Sequence, residues 1–180
     1  MSFWKFLGLE RADEARAADE FASSAEAMRG VVERLERLEP QRASYVARFA
    51  YILGRVAHAD LEVSDAETRA MEREVQALGG LDEAESVLVV EIAKTQHRLF
   101  GATDSYSITR DFARSASDEQ KRELLECLFA VSAADENVSG VEENEIRRIL
   151  KELDLSHEDF IAARASHREH VARLRRESLS

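Results

Sequence analysis

Two short stretches concentrate oxygen donors: "ADLEVSDAE", residues 59–67, and "ADENVSGVE", residues 134–142. With Asp60 placed over Asp135 they agree at Ala, Asp, Val, Ser and Glu across an offset of 75 residues, and Glu62 faces Asn137, which keeps an oxygen donor there. Asp60, Glu62 and Glu67 in one turn, and Asp135, Asn137 and Glu142 in the other, make the donor set of a hard divalent cation, Ca²⁺ or Mg²⁺. A bound cation would offset both the repulsion among carboxylates and the unfavourable placing of an acid after a helix C-terminus. The alternative needs no ligand, because an Asp in a turn accepts backbone N–H groups of the turn or of the helix that follows. The residues alone leave both readings open. An EF-hand is excluded: a twelve-residue loop counted from each Asp ends on Met71 and Ile146, where that site requires a bidentate Glu.

Part of the repeated pattern is capping. Ser64 and Ser139 are placed to accept the N3 amide, while Glu67 and Glu142 reach back to the cap's own N–H, and Val63 and Val138 precede the cap as hydrophobic staples. This accounts for Val, Ser and Glu but not for the Asp.

Other chemistry is thinly represented. His58 adjoins the first turn, His97 and His157 stand apart, and His167 with His170 share a helix face inside "ASHREHVARLRR", which reads as a solvated basic surface. Cys127 lies among Leu124, Leu125 and Leu128 and reads as a small buried hydrophobe. No glycine-rich phosphate loop, nucleophile elbow or paired-cysteine motif is present, and the Glu-x-x-His pairs of a di-iron bundle are missing, so an enzyme is the least supported class.

The turns must be positioned by helices. Ala, Glu, Arg and Leu dominate, proline occurs once, and aliphatics recur at three- and four-residue spacing, which predicts an all-α chain. The pattern places a helix from Arg11 to Leu38, stopped by Pro40, that packs loosely on the rest or is joined to it flexibly. A second runs from near Ala43 to Ala59 and a third from Ser64 to the "GG" at 79–80. A fourth, from Asp82 to Phe100, contains "SVLVVEIA" and is expected to be the most buried. A short helix follows with Ile108 and Phe112 inward, and Ser117 with Gln120, Ser139 with Glu142, and Ser156 with Glu158 and Asp159 open the last three. The expectation is a compact bundle of about seven helices containing a duplicated helical hairpin, divided into an N-terminal aromatic segment and amphipathic helix, 1–40, and a helical domain, 41–176.

The formal charge of −11, concentrated between residues 41 and 159, argues against nucleic acid, whose phosphates are bound by Lys and Arg. A single cysteine forms no internal disulfide, "FWKFLGL" at 3–9 is too short for an export signal, and no apolar run reaches the length of a membrane span. A cytoplasmic protein is expected. Phe3, Trp4, Phe6, Leu7 and Leu9 either pack on the bundle or rest on a membrane interface, and one Lys5 gives little attraction to anionic lipid, which favours packing or a protein partner.

The duplicated turns, "SASDEQKRELLECLFAVSAADENVSGVEENEIRRIL" and "LDLSHEDFIAARASH" resemble the tellurite-resistance TerB-like family, in particular its short cytoplasmic bacterial members, over roughly residues 43 to 172. The resemblance implies an all-α bundle of about seven helices with a pseudo-twofold relation between halves. It also implies divalent-metal binding at an acidic surface, a role in stress response, and association with partner proteins near the inner membrane face; similar domains occur fused to membrane-anchored J-domain co-chaperones. Carried over, the metal residues are Asp60, Glu67, Asp135 and Glu142. The family's Ala-Asp-Gly turn is altered here, with Leu61 and Glu136 in the glycine positions; a left-handed conformation is unfavourable for both, so these turns are reshaped or strained. The competing function is a metal-free interaction module whose acidic turns dock a basic partner surface at the cytoplasmic membrane face.

Overall fold

The computed structural model describes residues 6–7, 25–56, 65–99, 105–132 and 140–177. They form eight helices: α1 (Ala25–Glu36), α2 (Pro40–Val56), α3 (Asp65–Leu78), α4 (Glu83–Leu99), α5 (Ser105–Ser115), α6 (Asp118–Ser132), α7 (Gly140–Glu152) and α8 (His157–Glu177). There is no strand among the described residues. The chain is an all-α bundle, as its periodicity requires.

Helix ends follow local chemistry. Ser117 and Gln120 exchange N–H donors at 2.9 and 3.2 Å, and Ser156 and Asp159 do the same at 2.8 and 3.1 Å. A third reciprocal cap, not expected in that form, joins Asp82 and Glu85 at 2.8 and 3.1 Å and opens α4. Pro40 acts differently from the sequence expectation, since it opens α2 as well as closing α1. Its fixed φ suits the first helical position and its missing N–H loses nothing there, while Ala43 N–H donates to Glu39 O at 2.8 Å. The glycine pair ends α3 as expected: a Cβ on Gly79 would lie 2.6 Å from the Val75 carbonyl oxygen, and Gly80 has φ +59°. At the end of α7 it is Asp154 that takes the left-handed conformation, with φ 58°. Leu155 N–H closes the turn on Leu150 O at 3.1 Å, and Arg110 holds the Asp154 carboxylate at 2.7 Å.

The helix with the most neighbours is α2, while α4 is buried as expected along Glu85–Ala93 apart from Val87 and Glu91. Helix α2 packs on α1, α4, α5, α6 and α7, so no long face remains for water, and Phe49 through Leu53 are buried in succession. Tyr45, Phe49 and Phe112 form a ring cluster with centroids 5.3 to 6.3 Å apart. Packing then crosses between elements: α3 lies on α4 and α6, α7 on α2, α5 and α6, and α6 on α8 through the Phe129–Phe160 edge contact at 5.2 Å. The first helix is held more firmly than the loose packing expected of it. Val31 and Leu35 are buried in the common core, and Arg34 pairs with Glu91 of α4. Phe6 and Leu7 are buried in that core too, so this part of the N-terminal segment packs on the bundle. Residues 11–24 of the expected first helix lie outside the described residues.

A buried arginine at the base of the acidic turns

Arg55 stands in the last turn of α2, on the apolar face that Ile52 and Val56 define, and its side chain is only 6 % exposed. A guanidinium so placed needs acceptors on every side. Its Nε and Nη2 donate to Glu145 Oε1 at 2.9 and 2.6 Å, and Nη1 donates to Glu152 Oε2 at 2.5 Å and to Thr109 Oγ1 at 2.7 Å. The Thr109 hydroxyl gives its own proton to Ser105 O at 2.9 Å, which leaves its lone pairs for Arg55. Burial works against the charge on Arg55, but the hydrogen bonds and charges of Glu152 and Glu145 outweigh it, so its pKa lies above the ordinary arginine value. The network ties α2, α5 and α7 together.

Beside it opens a hollow of about 300 Å³, walled by Arg55, Val56, Val141, Glu142, Asn144, Glu145 and Arg148. Val56 is the last described residue before the first acidic turn, and Val141 and Glu142 come just after the second. The C-terminal end of α2 and the N-terminal end of α7 therefore meet here. Glu142 is half-buried, and the exposed Arg148 approaches Glu145 at 3.4 Å. The wall offers carboxylate and amide oxygens to a cation and a guanidinium to a carboxylate.

Of the six candidate metal residues, Asp60, Glu62, Asp135 and Asn137 lie outside the described residues. Glu67 belongs to the first turn of α3, but its side chain is not among those described. Glu142 alone is placed with its side chain, in the wall of the hollow. Among the described residues no group of three or more His, Cys, Asp or Glu is arranged to hold a metal ion. The structure thus brings together the flanks of the two turns, and the turns themselves are beyond what it describes.

The remaining reactive side chains have structural surroundings. Cys127 is buried, and burial, with Glu126, Glu123 and Glu74 nearby, pushes its thiol pKa far up, so it is a packing residue as its neighbours in sequence suggest. His157 stacks on Phe160 at 6.0 Å, and His58 lies outside the described residues. A second arginine clamp sits at the other end of α2, where Arg42 Nε and Nη2 each reach Glu85 at 2.5 Å beneath the Tyr45 ring. Sequence reasoning missed Arg55, Glu145, Glu152 and Thr109. The available signal was a charge on a core-facing position: Arg55 follows "YILG" on the apolar face of α2, and Glu152 falls three residues after Ile149 in α7. No helix among the described residues is long and apolar enough to cross a membrane.

Comparison with known proteins agrees with the architecture. No curated protein and no solved structure matches the chain. A family model described as "Tellurite resistance protein TerB" matches residues 46–165, from within α2 to within α8, and so takes in both acidic turns and the whole Arg55 network. TerB domains are small, non-enzymatic stress-response modules, and a match over most of the chain, on an all-α bundle, shows that this protein belongs to the TerB family.

Proposed function

We propose that this TerB-family domain binds a divalent cation, Ca²⁺ or Mg²⁺, through the acidic turns that follow α2 and α6, and that the loaded surface docks protein partners. The observation that carries the reading is the shared hollow: Val56, leading into the first turn, and Val141 and Glu142, leaving the second, wall the same space. One flank of each turn, far apart in sequence, therefore borders the same space. The crossed packing supports a pseudo-twofold relation between halves, since α3 lies on α6 as α7 lies on α2, and the openings of α3 and α7 stand 75 residues apart, the offset of the sequence repeat. On this reading Asp60, Glu62, Glu67, Asp135, Asn137 and Glu142 supply the oxygens.

The test is thermal melting of the chelator-treated chain with millimolar Ca²⁺, Mg²⁺ or Zn²⁺, beside the Asp60→Ala, Asp135→Ala double variant. A site filled to a hundred times its dissociation constant adds about 2.7 kcal/mol, which is several degrees for a chain of this size. An ion that raises the wild type and not the variant supports the site; no effect of any ion on the wild type removes it.

A second reading, a metal-free interaction module at the cytoplasmic membrane face, is favoured by one observation. Tyr106, Val141 and Ile161 are large apolar side chains exposed by 63, 69 and 50 %, and Val141 stands at the turn-facing hollow. With Phe6 and Leu7 in the core, contact with a lipid surface would have to come from other residues. Capture of the same partner by wild type and double variant alike would favour this reading over the first.

A further inference from the structure

The other end of α2 carries a hollow of a different character. About 620 Å³ of space opens between the first turns of α2, the end of α5 and the start of α6, walled by Glu39, Arg42, Ser44, Arg48, Ser115 and Gln120 among others. Most of the wall donates hydrogen bonds. Arg48 is half-buried, its Nε is closed off from solvent with no acceptor, and no ion pair neutralises it among the described residues. An unpaired buried Nε–H is costly in itself, and it is the Nη groups of the same guanidinium, which are not closed off, that Arg48 can offer to a ligand in the hollow it lines. Arg42 is neutralised by Glu85, which leaves Arg48 as the uncompensated cation of the wall. The Gln120 side-chain oxygen already accepts from Ser117 N–H at 2.9 Å, so what the amide has left to offer is its two N–H groups, and the Ser44 hydroxyl adds a further donor.

We infer that this hollow is a binding site for a small organic anion bearing a phosphate or carboxylate group, held by the Arg48 guanidinium with Gln120 and Ser44 as additional donors. The planar fork of arginine matches the two oxygens of either group. The volume is that of an ordinary small-molecule site. The charge of −11 gives no long-range attraction for an anion, so recognition depends on this local donor set, and the exposed Glu39 at the rim opposes it. The site lies on the opposite end of α2 from the acidic turns and is independent of them.

The experiment is a calorimetric titration of the full chain at low salt with inorganic phosphate, pyrophosphate and citrate, the first two testing a phosphate source and the third a carboxylate source. Saturable binding of at least one is expected. Arg48→Gln should weaken it roughly tenfold or more, as loss of hydrogen bonds to a charged group does, with Arg48→Lys in between. Glu39→Gln should tighten it about two- to fivefold, the scale of an exposed charge pair. Because Glu39 is exposed, its variant reads the site even where Arg48→Gln fails to fold. Absence of saturable binding for all three anions, or affinities that Glu39→Gln and a folded Arg48→Gln leave unchanged, would overturn the assignment.

Discussion

Replacing Arg55 by Met withdraws the guanidinium from between Glu145, Glu152 and Thr109 while keeping the length of its aliphatic stem. The consequence depends on what each former partner can do next. Glu152, with its side chain 8 % exposed, is left as a buried carboxylate without its cation, whereas Glu145, 23 % exposed and already near Arg148, can turn outward. Thr109 keeps its bond to Ser105 O and loses little. Breaking a buried pair by removing one partner costs about 3–5 kcal/mol, and relief at Glu145 puts this case near 3. For a chain of this length each kcal/mol moves the midpoint by about 2–4 °C, so a fall of about 6–12 °C is expected. The assay is far-UV circular dichroism melting at pH 7, repeated at 1 M salt, where the loss should persist because buried charges are poorly screened. Arg55→Met with Glu152→Met should recover most of the loss, since apolar replacement of a whole buried pair is close to neutral. A single variant melting within about 2 °C of the wild type would refute the reasoning, as would a double variant less stable than the single.

Five further outcomes follow from particular contacts. Hydrogen bonds from Arg122, then from the Ser156 hydroxyl and N–H, hold the Asp159 carboxyl down at about 2, so its contribution is complete above the unfolded value and is lost as pH falls through about 2; melting curves of Asp159→Asn and wild type should differ at pH 7 and converge toward pH 2. Glu123 has its pKa raised by burial first and by Glu119 and Glu126 next, so the folded state prefers the protonated form and stability falls as pH rises through that value. Glu123→Gln should therefore raise the melting temperature at pH 7 and give no gain at pH 4. Gly79→Ala forces a Cβ to 2.6 Å from a backbone carbonyl and within 3.3 Å of Phe49 and Cys127, with an expected loss of about 1–3 kcal/mol by denaturant titration. Gly80→Ala meets only the mobile end of Glu123, so its loss is the left-handed backbone penalty of about 1–2 kcal/mol. The Cys127 thiol should react with a disulfide reagent only at the rate of global unfolding.

What the sequence disclosed was whatever is decided locally. Capping boxes at Ser117 and Ser156 and the stop at Gly79–Gly80 are legible because their partners lie within four residues, and Ile108 and Phe112 point inward because helical period alone sets their face. The central place of α2 was not legible. An apolar run such as "SVLVVEIA" reports that a helix is buried, as α4 is, but how many neighbours cover α2 depends on the packing of the whole bundle. The Arg55 network was hidden for a related reason, since its members come from α2, α5 and α7 and Arg55 lies more than fifty residues in sequence from each of its partners. Pro40 shows the reverse error, where one residue carries two local meanings and the helix-stopping one conceals the helix-opening one.

The charges at the meeting of α2 and α7 also bear on what the turns can do. Arg55 lies at the C-terminal end of α2 and Glu142 and Glu143 in the first turn of α7, each the sign that the helix dipole favours at that end. Opposite charges from the two ends then meet directly, Arg55 on Glu145, with Glu152 completing the acceptors. The base of the turns is thus electrostatically satisfied by its own side chains, and its rigidity requires no ion. On the proposed reading the cation draws on Asp60, Glu62, Glu67, Asp135, Asn137 and Glu142, while Glu145, the other carboxylate of the wall, is committed to arginine. On that reading structural and ligand-binding carboxylates are separate populations. That separation would let the Asp60→Ala, Asp135→Ala variant remove the proposed metal site while leaving intact the Arg55 network that ties α2, α5 and α7 together.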